Sequence, residues 1–131
     1  MTKIQAVISV KTSFIPQQSD KDKNYFVFSY TITIKNISDS PFQLISRFWL
    51  IQDANQKIEE VFGEGVIGQQ PIIRPGESFT YTSGAVLETE IGTMEGKYFM
   101  RSLSQADRQT DNQEFEVPIE KFVLSVPRIL H

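Results

Sequence analysis

No cysteine occurs in the 131 residues, which excludes a disulfide framework and any thiolate-held zinc or iron–sulfur centre. A cysteine-free chain fits a reducing compartment, so a cytoplasmic location is expected. Histidine is almost as scarce, with His131 at the end of the chain its sole example. A serine-type triad needs an imidazole base beside its nucleophile, and a terminal histidine next to an α-carboxylate is a poor source of one. Thr82-Ser83-Gly84-Ala85 sets hydroxyls beside a glycine but lacks the G-x-S-x-G elbow, and reads as a strand ending in a turn. The expectation is a protein that is not an enzyme and carries no cofactor. A lysine or arginine block is also missing. Thirteen basic against sixteen acidic side chains give a formal net charge of −3, which disfavours broad nucleic-acid binding. Long apolar runs are absent too. The opening MTKIQAVISVKTSF is interrupted by Gln5, Ser9 and Lys11, so neither a signal peptide nor a spanning helix is expected, and no membrane partner.

What the chain does have is alternation with a period of two. Its length favours one domain, 1–131, large enough to bury roughly two-thirds of the unfolded surface. In Tyr25–Lys35 the residues Phe26, Phe28, Tyr30, Ile32 and Ile34 share one parity, which predicts a strand with one apolar face. Asn36 to Pro41 supplies a polar turn. In the next run Phe42, Leu44, Phe48 and Leu50 share a parity with Ser46, while Ile45, Trp49 and Ile51 share the other with Gln43 and Arg47. Both faces of that strand are largely apolar, as a central or interface strand would be. Ala54-Asn55 after Asp53 marks a turn, and Lys57–Phe62 returns as a hairpin arm. Further strands are expected at Glu77–Val86, at Lys97–Ser104 introduced by Gly92 and Gly96, and at Glu114–Val117 and Phe122–Val126 on either side of Pro118. The polar stretch Ser102 to Glu114 reads as a mobile loop. With no convincing helical periodicity anywhere, seven or eight short strands predict an all-β fold, an antiparallel β-sandwich of immunoglobulin or fibronectin type III kind.

One segment imitates a nucleotide-binding fingerprint. Gly63, Gly65 and Gly68 satisfy G-x-G-x-x-G, but Gln69-Gln70-Pro71 and then Pro75-Gly76 leave no helix whose N-terminus could meet a pyrophosphate. The segment therefore reads as a β-bulge or wide hairpin between strands. The alternative is a nest of backbone amides at Gly63, Gly65 and Gly68 holding a small phosphorylated ligand, with Arg74 as countercharge and Glu64 opposing it. Carboxylates cluster at Glu59, Glu60 and Glu64, at Glu88 and Glu90, and at Asp20 and Asp22. These read as solvated surface charge, with weak binding of a divalent cation as the alternative, and no metal site is assigned.

Arg47, Phe48 and Trp49 form the candidate interaction surface, because tryptophan, arginine and other aromatics dominate interface hot spots. The competing role for Trp49 is the core tryptophan of a sandwich. Arg47, on the parity of Trp49, is expected near a strand end or paired with a carboxylate. Exposed strand edges would permit an unidentified protein partner or a homodimer.

Several long words in order, YFVFSYTITIKN (Tyr25–Asn36), FQLISRFWLIQDAN (Phe42–Asn55), EEVFGEGVIGQQPIIRPGESFTYTSG (Glu59–Gly84), GTMEGKYFM (Gly92–Met100) and FEVPIEKFVLSVP (Phe115–Pro127), resemble the bacterial ApaG family. The resemblance implies a fibronectin type III-like sandwich, an association with cobalt and magnesium tolerance under the alternative name CorD, and no established reaction. It extends to domains of larger eukaryotic proteins, among them an F-box protein, where the domain is regarded as an interaction module. Two departures stand out. The family's S-R-H-W becomes Ser46-Arg47-Phe48-Trp49, removing an imidazole from the middle of the protein, and its D-A-N-G becomes Asp53-Ala54-Asn55-Gln56. The second change is expected to be mild, since Asn55 tolerates a left-handed conformation. A cobalt site within one subunit is not expected, because late first-row ions prefer imidazole and thiolate.

Overall fold

Among the described residues, alternation of apolar and polar side chains produces eight strands in two antiparallel sheets. A computed structural model describes residues 5–103 and 113–127. His131 and most of the polar stretch between Ser102 and Glu114 lie outside the described residues. In chain order the elements are β1 (Ala6–Phe14), two short 3-10 turns (Pro16–Gln18 and Lys21–Lys23), β2 (Phe26–Asn36), β3 (Phe42–Asp53), β4 (Ile58–Glu64), β5 (Ile72–Ile73), β6 (Ser78–Leu87), β7 (Ile91–Ser102) and β8 (Glu114–Ser125). One sheet has the order β1-β2-β6. The other runs β4-β3-β7-β8, with β5 pairing the first residues of β3. The result is the expected β-sandwich. Among the described residues no helix is long and apolar enough to cross a membrane.

The core lies between the sheets. Phe26, Phe28, Tyr30, Ile32 and Ile34 of β2 are all buried, as their parity predicts, and meet Trp49, Met94, Tyr98, Met100 and Leu124 from the opposite sheet. Each such side chain contributes roughly 1.5–3 kcal/mol on full burial. Two polar devices accompany this apolar filling. Asn36 is fully buried, donating from Nδ2 to the carbonyls of Ser40 and Ile73 while its Oδ1 accepts from the Ser38 amide and hydroxyl. The hydroxyls of Tyr81 on β6 and Tyr98 on β7 share a hydrogen bond of 2.5 Å across the two sheets. Desolvation raises the pKa of both well above the ordinary phenol value, with the Arg47 charge acting weakly the other way.

β3 departs from its expected parity. Against β7, Leu44 pairs with Met100 while Ser46 pairs with Phe99, so Ile45 is an extra residue and the strand bulges there. Phe42 and Leu44 point inward before the bulge, and Trp49 and Ile51 point inward after it. Phe48 and Leu50 are thereby turned outward. Unbroken alternation had placed Phe42 and Phe48 on one face, and a single inserted residue is enough to reverse every later side chain. Position 48, where the family's histidine is replaced, is on the outer face of the sheet and not in the protein's interior.

Other boundaries move for identifiable reasons. β1 was not anticipated, although Ala6, Ile8 and Val10 alternate correctly and pack on the core. Gly92 and Gly96 lie inside β7 and do not introduce it. The two runs around Pro118 are one strand. β8 is a sheet edge, where a proline lacking an N–H forfeits no ladder bond, and a bulge at Glu120-Lys121 opposite Glu95 keeps the strand in register. The β3–β4 turn also differs in detail. Asp53 Oδ1 accepts from the amides of Asn55 and Lys57, and the left-handed residue is Gln56, at φ 67°. The substitution of the family's glycine therefore falls on the strained position itself, and Asn55 does not absorb it.

Candidate functional site

The expected trio Arg47, Phe48 and Trp49 is split by the pleat of β3 into two regions, one on each side of the sheet. On the outer side Phe48 stands opposite Phe62 of β4 and Lys97 of β7, with Phe99 two residues further along β7 on the same face. The rings of Phe62 and Phe99 are 5.7 Å apart, and the Lys97 ammonium sits 5.5 Å from the Phe99 centroid. Phe62 is 67% exposed. Ion pairs between Lys97 and Glu116 (3.2 Å), Arg101 and Glu114 (3.3 Å) and Lys121 and Glu95 (3.6 Å) flank these aromatics. The arrangement has the anatomy of a recognition surface, an aromatic centre with a charged rim. Phe62 and Phe99 were not anticipated as partners of Phe48. The strand pairing that assembles them becomes visible only once the bulge at Ile45 sets the register.

On the inner side Trp49 is 2% exposed and packs edge-on against Tyr30 (5.4 Å) and Phe122 (5.8 Å). It is the core tryptophan and not a surface anchor. Its indole Nε1 is buried with no hydrogen-bond partner among the described residues. Arg47 is not at a strand end, lying in the middle of β3. Its Nη1 donates to the carbonyls of Glu64 (3.1 Å) and Gly65 (2.7 Å), and among the described residues no carboxylate lies within 4.0 Å of it. Together with Tyr30, Trp49, Val66, Tyr81 and Ser83, Arg47 lines a cavity of about 230 Å³ between the sheets.

The glycine segment is a tight hairpin. Val66 and Gln69 exchange both backbone hydrogen bonds (2.8 and 2.9 Å) around a two-residue turn at Ile67-Gly68, whose φ values are 44° and 77°. Positive φ at both central positions is the type I′ signature that hairpins favour. Gly65, at φ 60°, could not carry a side chain, since a Cβ would fall 2.2 Å from the Gln69 carbonyl oxygen. Gly63 is small for another reason, because the Arg47 guanidinium lies against it, 2.8–2.9 Å from where a Cβ would be. The amides of Gly65, Val66 and Gln69 are engaged by the carbonyls of Ile45, Gln69 and Val66. The structure brings Gly63, Gly65 and Gly68 to this hairpin but leaves Arg74 elsewhere. Arg74 follows β5, whose Ile73 pairs with Phe42, whereas Gly65 is level with Ile45, an offset of about 10 Å or more along β3. Arg47 is the basic side chain found at the glycines.

The carboxylates do not converge. Glu88 pairs with Lys57 at 3.1 Å and Asp20 caps a 3-10 turn, and among the described residues no three His, Cys, Asp or Glu side chains could hold one metal ion. A larger apolar groove, of about 750 Å³, runs between the free edges of β1 and β8, lined by residues including Val7, Ile8, Phe115 and Val117.

Comparison with known proteins agrees with this fold. The ApaG domain pattern matches residues 16–102. The chain is 44% identical over 131 residues to Protein ApaG of Ralstonia nicotianae, covering all of both chains, and 52% identical over 118 residues to Protein ApaG of Dechloromonas aromatica, covering 90% of this chain and 87% of that one. The crystal structure of the ApaA protein of Bordetella pertussis superposes with a TM-score of 0.85 at 44% identity, covering 95% of each chain. The C-terminal domain of Wzt, at a TM-score of 0.55 and 10% identity over 98% of this chain and 77% of that one, shares the fold alone. The chain belongs to the ApaG domain family.

Proposed function

We propose that the protein is a non-catalytic interaction module that recognises a protein partner through the outer face of the β4-β3-β7-β8 sheet. The carrying observation is the aromatic cluster Phe48, Phe62 and Phe99, in which Phe62 remains 67% exposed beside its neighbours. A phenyl ring left in water forgoes roughly 1.5–3 kcal/mol that a covering partner would recover. The surrounding ion pairs are exposed and contribute little to folding, yet charges at a rim select partners and orient their approach. The cytoplasm is the proposed setting, and cobalt and magnesium tolerance, the association carried by family resemblance, is the proposed context. The role there is indirect: late first-row ions favour imidazole and thiolate, and the sequence offers one histidine and no cysteine.

Affinity capture from the native cell extract tests the reading, with wild type compared with Phe62→Asp and sedimentation recorded for both. A protein retained by wild type and lost with the folded variant supports the face as the interface. Retention of the same proteins by both would move the interface elsewhere. A wild-type dimer that Phe62→Asp dissociates would identify the partner as a second copy of this chain.

A further inference from the structure

The cavity between the sheets contains a cation whose charge no described residue balances. Arg47 Nη1 is fixed by the Glu64 and Gly65 carbonyls, and its plane rests on Gly63, so the guanidinium is held in one orientation. Nη2 and Nε have no acceptor among the described residues, and no described carboxylate lies within 4.0 Å. A buried or half-buried fork of this kind is complementary to a carboxylate, which accepts two parallel N–H bonds. We propose that the cavity binds a small organic carboxylate with an apolar body, an aryl carboxylate of the size of benzoate, whose carboxylate meets Arg47 and whose ring lies among Tyr30, Trp49 and Val66.

Three features of the cavity select this class. Its volume of about 230 Å³ is that of roughly eight waters at ~30 Å³ each, and lies below the usual range for drug-sized ligands. The walls are predominantly aromatic and aliphatic, and the hydroxyl-bearing residues that accompany Arg47 are Tyr30, Tyr81 and Ser83. Among the lining residues Arg47 is the one cation, which matches a monoanion and leaves a phosphate dianion under-neutralised. Trp49 contributes its ring to the same wall, while its indole N–H is shielded and has no acceptor among the described residues. Exposed Ile67 and Gly84 contribute to the lining and give the site an edge open to solvent.

Trp49 also provides the readout, being the sole tryptophan in the sequence. Nitrogen-15-labelled full-length protein is titrated with benzoate, with its neutral relative benzamide, and with inorganic phosphate and pyrophosphate. Benzoate is expected to shift the single indole N–H resonance and the Ser83 and Gly84 amides saturably, and benzamide to bind at least about tenfold more weakly for want of a charge-assisted hydrogen bond. Arg47→Met should weaken benzoate by a similar factor. Because Arg47 also steadies the hairpin, Ser83→Leu serves as the second variant: it adds bulk to the opposite sheet's wall of the cavity with Arg47 retained, and should abolish the shifts. No saturable shift with benzoate up to tens of millimolar, or equal binding of benzamide, overturns the proposal. So does a response to phosphate or pyrophosphate confined to the Ile67 and Gly68 amides, which would put the anion at the turn. The inference goes beyond the interaction face, and Phe62→Asp, on the opposite side of the sheet, should leave the benzoate shifts intact.

Discussion

The two sheets turn very different surfaces toward solvent. On the outer face of the β1-β2-β6 sheet, Thr31 pairs with Thr82 at 2.8 Å and Thr33 with Thr80 at 2.9 Å, hydroxyl to hydroxyl across strands. On the outer face of the β4-β3-β7-β8 sheet stand Phe48, Leu50, Phe62 and Phe99. Both sheets have the same kind of backbone ladder, so the ladder does not account for the difference. At the centre of the threonine face, four hydroxyls pair with one another across β2 and β6. The aromatic face leaves Phe62 largely in water, and this asymmetry is what favours that side of the sandwich for the proposed interaction surface.

The comparison sharpens most when an aromatic between the sheets is set against one outside them. Trp49 and Phe62 belong to paired strands, β3 and β4, yet one is 2% and the other 67% exposed. Trp49→Ala should cost about 3–5 kcal/mol, through lost transfer energy and the cavity left behind. Urea unfolding followed by far-ultraviolet circular dichroism measures this, and near-native stability would place the indole outside the core. The next largest effect comes from the Tyr81–Tyr98 pair, which ties the threonine-faced sheet to the aromatic-faced one. Folded, both phenols have raised pKa values and keep their protons at pH 11, whereas the unfolded chain releases them above about pH 10. The unfolded state then binds fewer protons, so stability falls as pH rises, by about 2 kcal/mol between pH 10 and 11 for the pair. The double variant Tyr81→Phe/Tyr98→Phe should lose most of that slope while remaining less affected below pH 10. An unchanged slope would mean that the pair ionises freely in the folded state.

A smaller effect is expected at the β3–β4 turn that supports the aromatic face. Gln56 sits at φ 67°, a conformation that penalises a Cβ, so Gln56→Gly should raise stability by about 1 kcal/mol. A destabilised variant would show that the Gln56 side chain or the reduced freedom of the unfolded chain outweighs the strain.

Sequence made one sheet more legible than the other, for a physical reason. β2 pairs without interruption, so its period of two carries through from Phe26 to Ile34 and its inward face could be read directly. β3 and β8 carry bulges, and a bulge has no signature in a single sequence. Parity downstream of Ile45 was therefore inverted, which separated Phe48 from Phe42 and concealed its meeting with Phe62 and Phe99. β1 is hard to read because its alternation is short and half-exposed. The prolines that follow the glycine pattern make it legible as a loop between strands, a bulge or wide hairpin and not the tight two-residue turn observed, and its link to Arg47 is hidden, since Gly63 and Arg47 meet only through the β3–β4 register. Partners across a sheet are a tertiary fact, and that is why the candidate site was harder to read than the fold.

The smallest stability change is expected where the functional change should be large. Phe62→Thr transplants the chemistry of the threonine face onto the aromatic one. The ring is mostly in water and its loss removes little buried area, while threonine suits a strand, so folding stability should move by no more than about 0.5 kcal/mol. Thr82→Val on the other face breaks a hydroxyl pair and should cost a comparable few tenths to about 1 kcal/mol. By stability alone the two faces would then look alike. Partner capture should separate them, lost with Phe62→Thr and retained with Thr82→Val. If Phe62→Thr instead destabilises the protein by about 2 kcal/mol or more, the ring is serving the fold through Phe48 and Phe99, and the aromatic face is an outer core. Equal capture by both variants would reject it as the binding surface, because a face held open for a partner should be tolerant in folding and intolerant in recognition.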